Sequence, residues 1–313
     1  MKHQDFSHPR TPAGYLRLFL TGFAMGAADI VPGVSGGTIA FISGIYETLI
    51  NAIKSFDLSV IRMALRLQFK EIFAHVPFAF LITLGLGILA AIFALSNLLG
   101  SALETHPTLV FAFFGGLVLA SIVAIGLKIK WSPATLIALV ASAVIAFILV
   151  GLNPMQSADH SPLILFFSGM IAIMAMILPG ISGSFILLIL GQYEHILNSV
   201  RSLNIVSLVS VALGCLIGIV VFARVLSWLL KNYYNVTVAA LVGFMIGSLR
   251  KIWDEAAAGT TQMAEFGATE IIIALVLLVI GFIVVSLIDH AQSRDNPVIS
   301  LFSRRPAPNA DAA

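Results

Sequence analysis

Two stretches of this chain nearly repeat each other: PGVSGGTIAFISGIYE at residues 32–47 and PGISGSFILLILGQYE at residues 179–194. At a constant offset of 147 residues, nine of their positions are identical, and the match extends outward to the pair Gly22 and Gly169. Self-similarity at a fixed offset is the mark of an internal duplication. We therefore expect the fold to be built from two related halves.

A second, shorter block supports the duplication. The sequence GLVLAS at 116–121 meets GFMIGS at 243–248, at an offset of 127 residues. The two blocks together predict a first repeat over 14–152 and a second over 162–290. The remaining parts are an N-terminal tail, a linker on the outer side and a C-terminal tail, at 1–13, 153–161 and 291–313.

The composition of the chain places these halves in a membrane. Of its 313 residues, 59% are hydrophobic and only 10% are charged, whereas soluble domains carry roughly 25% charged residues. The net charge of +2 gives no reason to expect a nucleic-acid partner, and the single cysteine excludes an internal disulfide. The predicted fold class is an all-α polytopic membrane protein. Its ten apolar segments lie at 14–31, 36–53, 76–98, 108–127, 133–152, 162–179, 183–200, 205–230, 236–249 and 268–289.

The loop charges predict the orientation of these segments. With both termini in the cytoplasm, 13 of the 17 Lys and Arg residues face the cytoplasm, as the positive-inside rule requires. Only Arg201, Arg250 and Lys251 are then assigned to outer loops. Each half has five segments, an odd number, so the second half enters from the opposite side. The Pro-Gly-interrupted pairs are either two short crossings or re-entrant hairpins, and both alternatives keep the count odd. Inverted repeats of this kind are typical of alternating-access carriers with a site near the midplane.

The repeated motif has the chemistry of an anion site. Pro32 and Pro179 end any helix that arrives from upstream, and Ser35 and Ser182 are good N-caps for the apolar segments that follow. A helix beginning there directs unpaired N–H groups and a positive dipole end at a ligand. The alternative is that the Pro and Gly residues only kink a packed helix. Two copies in inverted halves favour the anion site.

Four charged residues lie within apolar segments, where a charge is costly and is either functional or paired. Glu47 and Glu194 are equivalent in the repeat and are either coupling groups or carboxylates at helix ends. Asp29 lies three residues before Pro32 and either couples transport to a cation or bonds to the broken backbone. Arg224 either holds a phosphate with its planar guanidinium or neutralises one of the acids. No metal site, cofactor or catalytic nucleophile is expected, because neither the His residues nor the Ser residues have partners at useful spacing.

The stretches ADIVPGVSGGTIAFISGIYE (28–47), ILPGISGSFILLILGQYE (177–194) and ARVLSWLL (223–230) resemble the bacterial polyprenyl-phosphate transporter family, PopT, formerly a domain of unknown function. The resemblance covers nearly the whole chain. It implies a protein of the bacterial inner membrane, not an enzyme, that moves undecaprenyl phosphate from the outer to the cytoplasmic leaflet. The lipid is then reused as a carrier in cell-wall synthesis.

Together, the motifs and the resemblance predict a mechanism. The phosphate head binds at the midplane, while the polyprenyl tail stays in lipid through a lateral opening. Protonation of Asp29, Glu47 or Glu194 would couple transport to an ion gradient, with proton or sodium left open, as is the choice between monomer and homo-oligomer. The competing functions are a transporter of a small soluble anion, an intramembrane phosphatase and a non-transporting scaffold. The expected phosphate ligands are Ser35, Gly36, Gly37, Thr38, Ser182, Gly183, Ser184 and Arg224.

Overall fold

A computed structural model describes residues 11–155, 158–262 and 267–293, so most of both tails and the middle of the outer linker lie outside the described residues. The described part of the chain is all helical, which confirms the predicted class, and contains no strand. Its helices are α1 (Pro12–Ile30), α2 (Gly36–Ile42), α3 (Tyr46–Lys54), α4 (Leu58–Leu65), α5 (Phe69–His75), α6 (Phe78–Thr105), α7 (Pro107–Gly126), α8 (Pro133–Val150), α9 (Pro162–Ile177), α10 (Gly183–Ile189), α11 (Tyr193–Arg201), α12 (Ile205–Asn232), α13 (Tyr234–Gln262) and α14 (Ala268–Ser293).

Six of these helices are long and apolar enough to cross a membrane, namely α6, α7, α8, α12, α13 and α14. The 28 residues of α6 and of α12 correspond to about 42 Å of helix, more than the roughly 30 Å of a hydrocarbon core. Many of their large apolar side chains are exposed at the protein surface, as expected where that surface meets lipid. The chain is therefore a multi-pass membrane protein.

Two segments predicted to be continuous are each broken into two helices. The 36–53 segment divides into α2 and α3, and the 183–200 segment divides into α10 and α11. The breaks fall at Gly44 (φ +66°) and Gly191 (φ +67°), which are equivalent in the repeat. The residue after each of these glycines donates its N–H to the carbonyl five positions earlier, Ile45 to Ala40 and Gln192 to Leu187. This is the Schellman ending of a helix, which the sequence prediction missed.

The predicted 236–249 segment is also wrong in length, because α13 runs on to Gln262. Arg250 and Lys251 were assigned to an outer loop but lie within this helix. They are tolerated there because each faces an acid one turn later, with Arg250–Asp254 at 3.6 Å and Lys251–Glu255 at 2.6 Å. Two short helices between the predicted segments, α4 and α5, were not predicted at all, since no stretch of them is continuously apolar.

Helices that correspond in the predicted repeats pack in similar pairs. In the first half α1 packs against α6, and in the second half α9 packs against α12. The equivalent glycines Gly22 and Gly169 make these contacts, since a side chain at either would collide with the carbonyl of Leu84 or Val211. The last two helices of each half pack across the boundary instead, α7 against α14 and α8 against α13. The motif helices α2 and α10 lie against α1 and α9 respectively.

Candidate functional site

The two Pro-Gly motifs meet in the interior of the molecule. A Cβ atom on Gly37, in the first turn of α2, would lie 3.1 Å from the carbonyl oxygen of Ile177, the last residue of α9. The Tyr46 hydroxyl, at the start of α3, donates a 3.0 Å hydrogen bond to the same carbonyl. The start of α2, in the first motif, thus lies against the end of α9, which leads into the second motif. This junction is the candidate site.

The N–H groups of the first motif already have partners within the protein. Gly36 N–H donates to the Asp29 carboxylate at 2.7 Å, Gly37 N–H donates to the Ser35 hydroxyl at 3.1 Å, and Thr38 N–H donates to the Ser35 carbonyl at 2.9 Å. The Ser35 cap is therefore as the sequence predicts. Asp29 lies where an anionic ligand was expected, with its carboxylate on the first N–H of α2. The Thr38 hydroxyl is buried and has no hydrogen-bond partner in the described part of the chain.

The second motif is open where the first is filled. Ser182 does not cap α10 with its side chain and instead shares a 2.7 Å hydrogen bond with the Ser184 hydroxyl. Among the described residues, the N–H groups of Gly183 and Ser184 have no hydrogen-bond partner. Met176 holds the place of Asp29 in this half, so no carboxylate reaches these donors. Two N–H groups and two hydroxyls thus lie at the start of α10 with no carboxylate from the described residues bound to them.

A cation that sequence reasoning did not assign to the site lies between the motifs. The Lys251 side chain packs against Gly33 of the first motif, where an added Cβ would be 2.9 Å from Lys251 Cγ. Its ammonium lies 5.1 Å from the ring centroid of Phe185 in the first turn of α10. The ammonium forms an ion pair with Glu255 at 2.6 Å, and the Lys251 side chain is 21% exposed. The i,i+4 spacing of Lys251 and Glu255 was the signal that could have placed both in a helix.

The other predicted residues lie away from this junction. Glu47 is exposed in the first turn of α3, and Glu194 is exposed in the first turn of α11. Arg224 is exposed on α12 and makes no hydrogen bond or ion pair with any described residue. No contact joins these three residues to the motif N–H groups, so their predicted roles stay predictions. Within the described ranges, no cluster of three or more His, Cys, Asp or Glu side chains could hold a metal ion.

Comparisons with known proteins give this arrangement a family context. The model of a family described as undecaprenyl phosphate translocase-like matches residues 25–270. A polyprenyl-phosphate transporter from Vibrio cholerae serotype O1 is 43% identical over 240 residues, covering 76% of this chain and 78% of the relative. A polyprenyl-phosphate transporter from Staphylococcus aureus is 35% identical over 285 residues, covering 85% and 93% respectively. No solved structure matches the chain significantly.

Proposed function

The chain belongs to the undecaprenyl phosphate translocase-like family, and from that premise we propose that it moves undecaprenyl phosphate across the bacterial cytoplasmic membrane. The direction is from the outer to the cytoplasmic leaflet, which returns the carrier lipid for cell-wall synthesis. The observation that carries the proposal is the junction of the two motifs, where α10 begins with open N–H donors and Lys251 lies against both Gly33 and Phe185. Transport, not hydrolysis, is the activity, in keeping with the names of the relatives.

The phosphate head is bound at the junction. Gly183 N–H, Ser184 N–H and the hydroxyls of Ser182 and Ser184 bind its oxygens, and the Lys251 ammonium neutralises its charge. These groups are already in place before the ligand binds, so binding requires little reorganisation. The first motif contributes Ser35, Gly36, Gly37 and Thr38 after its internal hydrogen bonds have opened.

Asp29 links binding to a change of state. Its carboxylate holds Gly36 N–H, and a phosphate arriving at α2 would meet a like charge. Protonation of Asp29 removes that repulsion and frees the N–H group, which couples head-group binding to a cation. Glu47, Glu194 and Arg224 lie outside the junction and would meet the head group only after the halves rearrange.

The transport cycle rests on the topology of the two halves. Both termini are cytoplasmic, the halves over 14–152 and 162–290 are inverted, and the α1–α2 and α9–α10 pairs are re-entrant. Support comes from the positive-inside charge distribution and from the repeated glycines with positive φ, since Gly33 (+81°) pairs with Gly180 (+89°) and Gly44 pairs with Gly191. The junction is then exposed in turn to each side of the membrane, by the rocking motion expected of inverted repeats.

The test is leaflet exchange in liposomes. Purified protein is reconstituted with labelled undecaprenyl phosphate in one leaflet, and the label reaching the other leaflet is followed over time. We expect the protein to accelerate exchange of this lipid but not of an undecaprenol that lacks the phosphate. Equal exchange of both lipids would reduce the activity to a nonspecific scramblase. Uptake of labelled inorganic phosphate without lipid exchange would replace the proposal with the soluble-anion transporter.

A further inference from the structure

A large apolar cavity lies between α7, α8, α13 and α14, apart from the motif junction. Its volume is about 1110 Å³, slightly above the roughly 300–1,000 Å³ of most ligand pockets. Its wall includes Phe111, Ala112, Ala257, Ala274 and Leu275. We call this cavity the apolar groove, because Trp253 and Leu275 at its edge are 74% and 57% exposed, so that it opens at the lipid-facing surface.

The apolar groove lies close to the motif junction. Phe111 lines the groove and also a smaller cavity of about 150 Å³, whose other walls include Pro32 and Glu255. Pro32 belongs to the first motif, and Glu255 is the ion-pair partner of Lys251. Phe111 therefore forms a wall shared by the groove and the smaller cavity, and the smaller cavity borders both the first motif and the ion pair of Lys251. Helix α13 separates the two environments, with 251 and 255 towards the junction and 253 and 257 towards the groove.

The two charged residues at the groove's edge, Arg250 and Asp254, already have partners within the protein. Arg250 donates to the Phe147 carbonyl at 3.0 Å, lies 4.4 Å over the Phe147 ring and pairs with Asp254. These contacts pair the two charges at the groove's edge with each other, and most of the remaining wall is apolar. An occupant that reached both the junction and the groove would need one anionic end and a long hydrocarbon chain.

We propose that the apolar groove binds the isoprenoid chain of the polyprenyl phosphate while its head group lies at the motif junction. This inference rests on the proposed function and extends it from the head group to the tail. Part of the tail is then held by the protein, and only the remainder stays in the bilayer. The groove thereby makes the protein selective for long polyprenyl chains over short ones.

Photocrosslinking tests the occupant directly. The reconstituted protein is irradiated with a polyprenyl phosphate that carries a diazirine in its isoprene units, and the labelled peptides are mapped. We expect labels on α7, α13 and α14 at the groove, displaced by excess undecaprenyl phosphate. Equal labelling of the groove by a phosphatidylglycerol carrying an acyl-chain diazirine would make it a bulk-lipid site and overturn the proposal.

Filling the groove tests its role. Ala257→Trp and Ala274→Trp each place an indole in the groove, and Ala257 is exposed, so its replacement does not disturb a packed helix. Ala141→Trp on the exposed face of α8, outside the groove, is the matched control. We expect the groove variants to slow undecaprenyl phosphate exchange about tenfold and to bind farnesyl phosphate within about twofold of the unmodified protein.

The outcomes separate the two proposals. Undecaprenyl phosphate exchange within about twofold of normal in both folded groove variants would overturn the tail site and leave the proposed function intact. Absence of exchange in the unmodified protein would refute the proposed function, whereas the crosslinking map would still report whether the groove binds the chain. Loss of farnesyl phosphate binding in the groove variants would contradict the separation of head and tail sites.

Discussion

Asp29 and Lys251, two of the charged residues at the junction, break the symmetry of the duplicated motifs. Asp29 has Met176 as its counterpart in the second half, and Lys251 has Ala124 as its counterpart in the first. The acid accepts a hydrogen bond from Gly36 N–H in one motif, and the cation lies over the ring of Phe185 in the first turn of the other motif's helix. The two motifs therefore differ in the charges beside them, and the proposed function assigns the open N–H groups of the second motif to the anion.

Replacement of Lys251 tests which cation serves the phosphate. A hydrogen bond to a charged group contributes about 1.5–3 kcal/mol, so Lys251→Gln should weaken farnesyl phosphate binding by about tenfold to a hundredfold. Lys251→Arg keeps the charge and the contact with Phe185, and should retain most of the binding. The readout is the dissociation constant in detergent for protein that elutes as a folded monodisperse species.

Arg224→Gln is the comparison for this experiment, because Arg224 is the cation that sequence reasoning chose. It is exposed on α12 and has no described ion-pair partner, so its loss should have a smaller effect on binding than the loss of Lys251. A greater loss of binding in Arg224→Gln than in Lys251→Gln would contradict the placement of Lys251 at the head group.

Among the helices, α4 and α5 form a pair that has no buried residue. No residue of either helix is buried, and apolar side chains such as Leu65 (81% exposed) and Phe73 (66% exposed) alternate with Arg62, Arg66 and Lys70. This pair has no counterpart in the second half, where α11 leads directly to α12. Its stability must come from local capping and from its surroundings, since it has no core of its own.

Asp57 is the cap on which α4 depends. Its carboxylate accepts from the N–H groups of Ser59 (2.8 Å) and Val60 (3.3 Å), and His75 of α5 lies 3.6 Å away. Burial alone would raise the pKa of Asp57, but the hydrogen bonds from Ser59 and Val60 and the nearby His75 lower it below its usual value. Its contribution is therefore complete above the unfolded-state pKa and is lost as pH falls through the lowered folded-state value.

Asp57→Ala should destabilise α4 by about 1 kcal/mol, the usual effect of losing an N-cap. Hydrogen exchange at neutral pH should become faster in the backbone amides of α4 and α5 but not in α6. Asp57→Asn, which keeps a capping oxygen without the charge, should restore most of the protection. Unchanged exchange in Asp57→Ala would mean that contacts with the bilayer, not the cap, hold the helix.

At this scale the sequence predicts long apolar helices well and polar interruptions poorly. The spans of α6, α7, α8 and α12 follow from continuous hydrophobicity, which responds to the bilayer. The full length of α13 does not, because its paired charges look like a loop in a hydropathy profile and become acceptable only through i,i+4 contacts. Lys251 was missed as a site residue for the same reason. Its approach to Gly33 depends on how helices of different halves pack, which no local pattern records.

For the whole molecule, the pattern of helix packing joins the two predicted repeats. Because α7 packs against α14 and α8 against α13, neither half could bury its last two helices alone. The ion pair between Lys128 and Asp289, at 2.7 Å, adds a polar contact across the same boundary. These contacts hold α7, α8, α13 and α14 together as one packed framework.

The orientation of the whole chain supplies the last test. If both termini are cytoplasmic, Glu104 at the end of α6 and Asp159 before α9 face the outside, whereas Lys70 and Lys130 face the cytoplasm. All four side chains are exposed, so a single cysteine at each position, in a Cys215→Ala background, is accessible to a membrane-impermeant maleimide from its own side. In intact cells, Glu104→Cys and Asp159→Cys should react, and Lys70→Cys and Lys130→Cys should react only after permeabilisation.

Because Glu104 belongs to the first half and Asp159 immediately precedes the second, labelling of both from outside requires an odd number of crossings up to residue 104 and an even number between the two positions. Protection of both outer positions, with labelling of both lysine positions, would reverse the orientation. Labelling of Glu104→Cys alone would place the linker inside and remove the inverted relation of the halves on which the alternating-access cycle depends.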